Sequence, residues 1–226
     1  MCGRFVQKSP LHAIQQIFDV ETAWVEVAPN YNVAPTQQVL SIIKHDNKNR
    51  LEKLHWGLVP PWARDISGAS RMINARAETV AEKPSFRNAF KKRRCLIPAD
   101  GFYEWKGEKG DKQPYYIFTP FGPPFAFTGL WEKWTDKKRD EKSAYKSCTI
   151  ITSASSRSIR EIHHRMPVIL FPEFHEKWLN TDIQDPKALK IILRKGMVHD
   201  LNYHPISKMV NAVKNNDPGC IEPIAV

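Results

Sequence analysis

The run Val39-Leu40-Ser41-Ile42-Ile43-Lys44 leads through His45-Asp46-Asn47-Lys48-Asn49-Arg50 into Leu51-Glu52-Lys53-Leu54-His55-Trp56-Gly57-Leu58. Apolar and β-branched residues fill the outer segments and a polar, turn-forming segment lies between them, so the stretch predicts a β-hairpin. Further strand-like runs cover residues 95–97, 101–106, 115–119, 125–131, 145–152 and 166–170, divided by Gly, Pro or charged turns. Short connections of this kind suit antiparallel pairing. Ser9 as N-cap and Pro10 at the first helical position precede Leu11, Ile14, Ile17 and Phe18, an apolar face at helical spacing. Other helical patches are 86–92 behind Ser85, 156–163, 172–179, and 186–195 behind Asp185. Because strands and helices do not alternate regularly, the expected class is α+β, with a curved, mostly antiparallel sheet or barrel-like core and short peripheral helices. The 17 prolines are spread from Pro10 to Pro223 without a repeat or a long linker, which predicts one domain over residues 1–226.

Composition narrows the functional classes. At 226 residues with 42% hydrophobic content and seven tryptophans, the chain can fill a core without crosslinks. No apolar run approaches the roughly 18 residues needed to span a bilayer, and no basic-then-apolar leader opens the chain. A cytoplasmic protein without a membrane partner is expected. Cys2, Cys95, Cys148 and Cys220 stand far apart with no Cys-x-x-Cys pair or zinc-type His spacing, which predicts reduced thiols and no metal. A formal charge of +10 suits a polyanionic partner but does not select one.

The amino terminus carries specific chemistry. Methionine aminopeptidase trims Met1 before a small residue such as Cys2, leaving an α-amine and a thiol on one residue. Their reference pKa values, roughly 7.7–8.0 and 8.5, leave a usable fraction of each nucleophile near neutral pH. Such a 1,2-aminothiol attacks an aldehyde through nitrogen to give an imine, after which sulfur closes a thiazolidine. The same terminus suits an N-terminal-nucleophile peptidase or amidase, so both chemistries stay open at this point.

Met1-Cys2-Gly3-Arg4-Phe5 is followed in order by Tyr31-Asn32-Val33-Ala34-Pro35-Thr36, Trp56-Gly57-Leu58-Val59-Pro60, Asn74-Ala75-Arg76-Ala77-Glu78-Thr79, Pro98-Ala99-Asp100-Gly101-Phe102-Tyr103-Glu104-Trp105 and His163-His164-Arg165-Met166-Pro167. Pro205-Ile206-Ser207 through Val210-Asn211 completes the series. In this order and spacing the chain resembles the SOS response-associated peptidase (SRAP) family over nearly its whole length. The resemblance implies the SRAP fold and the shielding of abasic sites in single-stranded DNA by a DNA–protein crosslink through the N-terminal cysteine. An abasic deoxyribose opens to an aldehyde, the electrophile an aminothiol traps.

Carried over by position, the resemblance makes Cys2 the nucleophile and Asn74 the side chain that orients its amine or the sugar. Glu104 becomes the acid/base group for sugar opening and proton transfer, and His163 a second proton carrier. Taken alone, Asn74 reads as a turn residue, Glu104 as a solvent-facing strand position opposite the rings of Tyr103 and Trp105, and His163 as a helix end. His164 stands where the family carries an acidic or polar residue, which bears on the pKa of His163. Arg4, Arg76 and Arg165 lie within the matching segments and are the leading phosphate contacts. Lys91-Lys92-Arg93-Arg94 reads as a solvated helix end. Trp62, after Pro60-Pro61, and Pro35 resemble the family's wedge and stacking positions, although most tryptophans in such a chain cap a core. The expected partner is single-stranded DNA containing an abasic site, with no cofactor, a monomeric state, and a cytoplasmic or nucleoid location. A noncovalent reader of single-stranded or modified DNA is the remaining alternative, and peptidase or lyase chemistry is left open.

Overall fold

The computed structural model describes residues 2–21, 25–108, 110–136 and 144–225. Strands β1 (Phe5–Gln7), β2 (Asn30–Val33), β3 (Gln38–His45) and β4 (Lys48–Trp56) come first. The last two form the expected hairpin, paired from Gln38↔His55 to His45↔Lys48. Its turn is tighter than composition suggests: only Asp46 and Asn47 lie between the strands, both in the left-handed region (φ 50° and 58°). Residues 48–50 therefore belong to β4. A two-residue turn with both φ positive matches the right-handed strand twist, and Asp and Asn tolerate that conformation best after glycine.

Five strands close into a barrel. β6 (Arg94–Ala99) joins β3 to β9 (Phe125–Trp134), and β10 (Tyr145–Ala154) joins β9 back to β4, completing the ring. Closure falls at Gly129, which pairs with Cys95 on one side and Ile150 on the other. A Cβ there would lie 2.7 Å from Cys95 Sγ and 3.0 Å from Thr149 O, so the close approach needs glycine. β5 (Asn74–Arg76) and β11 (Arg165–Pro167) extend the barrel at β10. A second sheet runs β12 (Asn202–Pro205), β8 (Gln113–Phe118), β7 (Gly101–Lys106), β1, β2, all antiparallel. The α+β class with a barrel-like core is thus observed, with β4–β10 and β5–β10 as parallel exceptions.

The two sheets meet through aromatic side chains. Phe5 of β1 packs edge-on against Trp56 (5.1 Å) and Phe127 (5.5 Å), and Phe102 of β7 against Phe127 (6.0 Å). All four are fully buried. Each such pair contributes about 0.5–1.5 kcal/mol beyond the area it buries.

Helices are few among the described residues. α1 (Leu11–Phe18) starts after Pro10 without the expected Ser9 cap. Ser9 is drawn away instead: its hydroxyl bonds Asp100 Oδ1, while Lys8 and Ser9 N–H donate to Asp100 Oδ2 at 2.6 and 3.1 Å. Ile14 and Phe18 face the core, but Ile17 is exposed. α2 (Arg87–Lys92), α3 (His175–Leu179, behind a 3-10 turn at Pro172–Phe174) and α4 (Pro186–Gly196) fall where expected. The Asp185 side chain accepts from Lys187 and Ala188 N–H, as an N-cap does. Residues 156–163 form turns rather than a helix, and the strand expected over 166–170 is β11 followed by isolated bridges. None of the described helices is long and apolar enough to cross a membrane.

The basic run at 91–94 departs from its expected role. Lys92 is exposed, but Arg94 is 3% exposed and ties two helix ends together. Its guanidinium donates to the carbonyls of Trp178 (2.5 Å), Phe90 (3.0 Å), Lys91 (2.5 Å) and Asn180, and lies 5.6 Å from the centre of the Trp178 ring. Those carbonyls belong to the C-terminal turns of α2 and α3, the negative ends of their dipoles. Burial lowers the Arg94 pKa to about 10, which leaves it charged at neutral pH. Arg93 pairs with the buried Glu132 at 2.6 Å.

Barrel closure at Gly129 makes a direct prediction. Gly129→Ala forces Cys95 and the β10 backbone apart and is expected to cost about 1–3 kcal/mol. A urea midpoint equal to that of the parent chain would show that the ring closes more loosely than described.

Candidate functional site

The register of β1 against β7 begins the site. Phe5↔Phe102 and Val6↔Gly101 continue into Tyr103 N–H donating to Arg4 O at 3.0 Å. One further step brings Gly3 opposite Glu104, with Cys2 adjoining. Cys2 is fully buried, its Sγ 3.8 Å from Arg4 O. Burial pushes the Cys2 thiol up, and the Glu104 charge pushes it further. The resting sulfur is therefore a neutral thiol that needs a base before it can attack.

Asn74 comes from the barrel side. Its position follows from Ile73, whose carbonyl accepts from Ile150 N–H at 3.0 Å and from the Trp56 indole N–H at 2.9 Å. With the next residue so fixed, Asn74 Nδ2 donates to Cys2 O at 2.8 Å across the seam between the sheets. Its Oδ1 is buried with no hydrogen-bond partner among the described residues, an acceptor open to an amine or a sugar hydroxyl.

Glu104 is 4% exposed, so the solvent-facing alternative fails. β7 is an inner strand covered on both faces: Tyr103 joins Val6, Tyr116, Ile206 and Val210 on one side, while Phe102 faces the main core on the other. Burial raises Glu104 from the ordinary 4.5 to about 7. His163, at the turn before β11, has its Nδ1 3.8 Å from Glu104 Oε1 and 3.0 Å from both Arg165 N and O. Burial lowers the His163 pKa, and the stacked His164 ring, 4.4 Å away, adds to the lowering. Burial thus pulls the two groups toward their neutral forms, the carboxyl upward and the imidazole downward.

Glu104 and His163 face a cleft of about 540 Å³, also lined by Trp105, Lys112, Lys208 and Asn211. Trp105 Nε1 donates to Asn211 Oδ1 at 2.8 Å, and Lys208 pairs with Asp111 at 2.8 Å. Lys112 lies outside every recognisable motif, whereas Lys208 falls within the 205–211 segment, and the fold brings the two to one cleft.

The expected phosphate contacts divide. Arg76, on the same face of β5 as Asn74, is exposed. Arg4 holds Asn32 Oδ1 (2.7 Å), Val210 O (2.8 Å) and Asn211 O (3.2 Å), fastening the C-terminal segment to β1. Arg165 makes a two-pronged contact with Glu78 (2.7 and 3.0 Å) and donates to Thr152 O at 2.6 Å. Both guanidinium groups are occupied within the chain.

Pro35 is half-buried in a turn whose next residue, Thr36, has φ 72° and donates its N–H to Trp56 O at 2.8 Å. Trp62 is 64% exposed and caps no core. Its loop leaves β4 at Gly57, where φ is 138° and a Cβ would sit 2.6 Å from Ala69 O.

A protein-family model described as SOS response associated peptidase (SRAP) matches residues 1–213. The Bacillus subtilis (strain 168) protein named abasic site processing protein YoqW is 44% identical over 225 residues, covering 98% of this chain and 99% of its own. Abasic site processing protein YedK of Escherichia coli (strain K12) is 31% identical, covering 99% of this chain and 100% of its own. Abasic site processing protein HMCES of Xenopus tropicalis is 34% identical over 87% of this chain and 66% of its own length. A crystal structure of a Bacteroides thetaiotaomicron protein superimposes with a TM-score of 0.84 at 27% identity, covering 99% of this chain and all of that one. With a family model that matches residues 1–213 and a fold that matches over its length, this chain belongs to the SOS response associated peptidase family.

Proposed function

We propose that the chain senses abasic sites in single-stranded DNA and shields them by bonding covalently through Cys2 after Met1 is removed. The observation that carries this reading is the convergence on Cys2: Asn74 holds its carbonyl at 2.8 Å from one sheet, while Glu104, from the other, lies near enough for its charge to raise the thiol's pKa. The relatives' shared name, abasic site processing protein, points to the same substrate class.

In the proposed sequence the Cys2 α-amine, oriented by the open Asn74 Oδ1, attacks C1′ of the ring-opened sugar. Loss of one water gives the imine. Glu104 takes the thiol proton, sulfur bonds to C1′, and the proton passes to the imine nitrogen as the thiazolidine closes. Aldehyde and aminothiol thus yield ring and water, with no electron transfer and no cofactor. His163 relays protons to Glu104 and to the sugar oxygen. Arg76 contacts phosphate, Trp62 and Pro35 shape the strand beside the lesion, and Arg4 and Arg165 hold the walls in place. The chain works as a single domain and a monomer, in the cytoplasm or at the nucleoid.

The defining test is incubation with an oligonucleotide bearing one abasic site, followed by denaturing electrophoresis. Cys2→Ala keeps an amine and is expected to give only a borohydride-trapped imine. A non-cleavable N-terminal extension keeps the thiol but abolishes crosslinking. Durable crosslinking by the extended chain would contradict the mechanism, and peptide turnover without a crosslink would favour the amide hydrolase.

Glu104→Gln is expected to slow crosslinking at saturating DNA by about 100-fold or more, and to remove the rise in rate as pH passes about 7. The stability sign follows from the raised pKa. The native state holds the Glu104 proton more tightly than the unfolded chain, so this contribution is complete below pH 4.5 and lost as pH rises to about 7. The melting temperature of Glu104→Gln relative to the parent should climb across that window. A constant difference, with an unchanged rate profile, would take Glu104 out of the reaction.

Arg76→Ala is expected to weaken noncovalent binding and to lower the slope of log K against log salt by about 0.7. An unchanged slope would mean that Arg76 touches no phosphate.

A further inference from the structure

One corner of the barrel's outer surface carries a row of rings that the Cys2 chemistry does not use. Trp134 of β9 pairs with Tyr145 of β10, and His55 of β4 pairs with Ser147 of β10 and Gln38 of β3. Cross-strand partners share a face, as do Tyr145 and Ser147 two residues apart. Trp134, Tyr145, His55 and Gln38 therefore project from one side, with Lys53 two residues before His55 on the same face. The His55 and Tyr145 rings stack at 4.3 Å with 13° between planes, and Gln38 Nε2 lies 3.4 Å from His55 Nε2. The three rings are half-buried, whereas Gln38 and Lys53 are exposed. A cleft of about 340 Å³ opens over the stack.

The row is continuous with the Trp62 loop. The Trp134 indole N–H donates to Ala63 O at 2.8 Å, one residue beyond the exposed Trp62. Neighbouring Lys146 is already paired with Glu52, so among the described residues Lys53 is a cation placed to meet a ligand here. The half-buried stack lies at a cleft whose described lining includes the Gln38 amide and Lys53. Ring faces beside a cation are what single-stranded nucleic acids use for sequence-tolerant binding.

We propose that this row is a second stacking subsite for single-stranded DNA: a base from the strand flanking the lesion extends the Tyr145–His55 stack, Gln38 hydrogen-bonds its edge, and Lys53 meets the adjoining phosphate. The proposal rests on the reading that the chain acts on single strands. Undamaged DNA tests it apart from the crosslink, because no aldehyde is present.

Affinity for a fluorescent undamaged single strand is measured by anisotropy. Tyr145→Ala is expected to weaken binding by about 5- to 150-fold, the span for one lost base–aromatic stack, while Tyr145→Phe retains it. Phe121→Ala, at an exposed ring outside the row, serves as the control. Irradiation of the unaltered chain with strands carrying 5-iododeoxyuridine, followed by peptide mapping, gives a readout independent of variant folding, with label expected on Tyr145, His55 or Trp134. Unchanged affinity in Tyr145→Ala, or label confined to other residues, overturns the subsite even if abasic DNA is crosslinked normally. If Tyr145 carries label but abasic DNA forms no durable adduct, the subsite stands and the covalent reading falls.

Discussion

The edge-on contact of Phe5 and Phe102 with Trp56 and Phe127 is the constraint on which the rest of the site depends. It joins a sheet that carries Cys2 and Glu104 to a barrel that carries Asn74 and His163, so no single sheet contains a complete site. Trp56 has three tasks. Its ring meets Phe5, its indole N–H fixes the carbonyl before Asn74, and its own carbonyl receives Thr36 N–H beside Pro35. A shift of the seam by even an ångström would separate Asn74 from Cys2, and positioning errors of that size are enough to cost orders of magnitude in rate.

Desolvation sets the chemistry that the seam assembles. Cys2, Glu104 and His163 all lose hydration, and each shifts toward its neutral form. With its pKa near 7, Glu104 is partly carboxylate at neutral pH, and that ionised fraction is the form able to receive a proton. The arginines illustrate a related economy of charge. Arg4, Arg94 and Arg165 hold carbonyls, an amide and a carboxylate within the chain, so a net charge of +10 overstates what is available to DNA.

The hairpin over 39–58, the strands from 95 to 152 and the helix behind Asp185 were legible because period, turn composition and caps agree locally. β1, β2, β5 and β12 were not, since three or four residues carry no period and pair only through tertiary contact. Ser9 read as a cap because its local pattern is right; Asp100, 91 residues away, outcompetes the helix. Among the candidate site residues, Cys2, Asn74, Glu104 and His163 were visible through motif order, but the extent of Glu104 burial was not, since it depends on neighbours on both faces of β7. Arg4 and Arg165 read as phosphate contacts from their motifs, while the carbonyl and carboxylate partners they hold within the chain come from residues far apart in sequence. Lys112 at its cleft and the Tyr145–His55 stack on the barrel have no local signal and are set only by the folded chain.

The most direct measurement is mass spectrometry of the purified crosslink after proteolysis, combined with alkylation of free thiols. The account predicts an adduct on a peptide that begins at Cys2, heavier by the abasic fragment less one water, with the Cys2 sulfur protected from alkylation and the α-amine protected from acylation. An adduct on a lysine, a Cys2 thiol that still alkylates, or a crosslinked peptide that retains Met1 would contradict it.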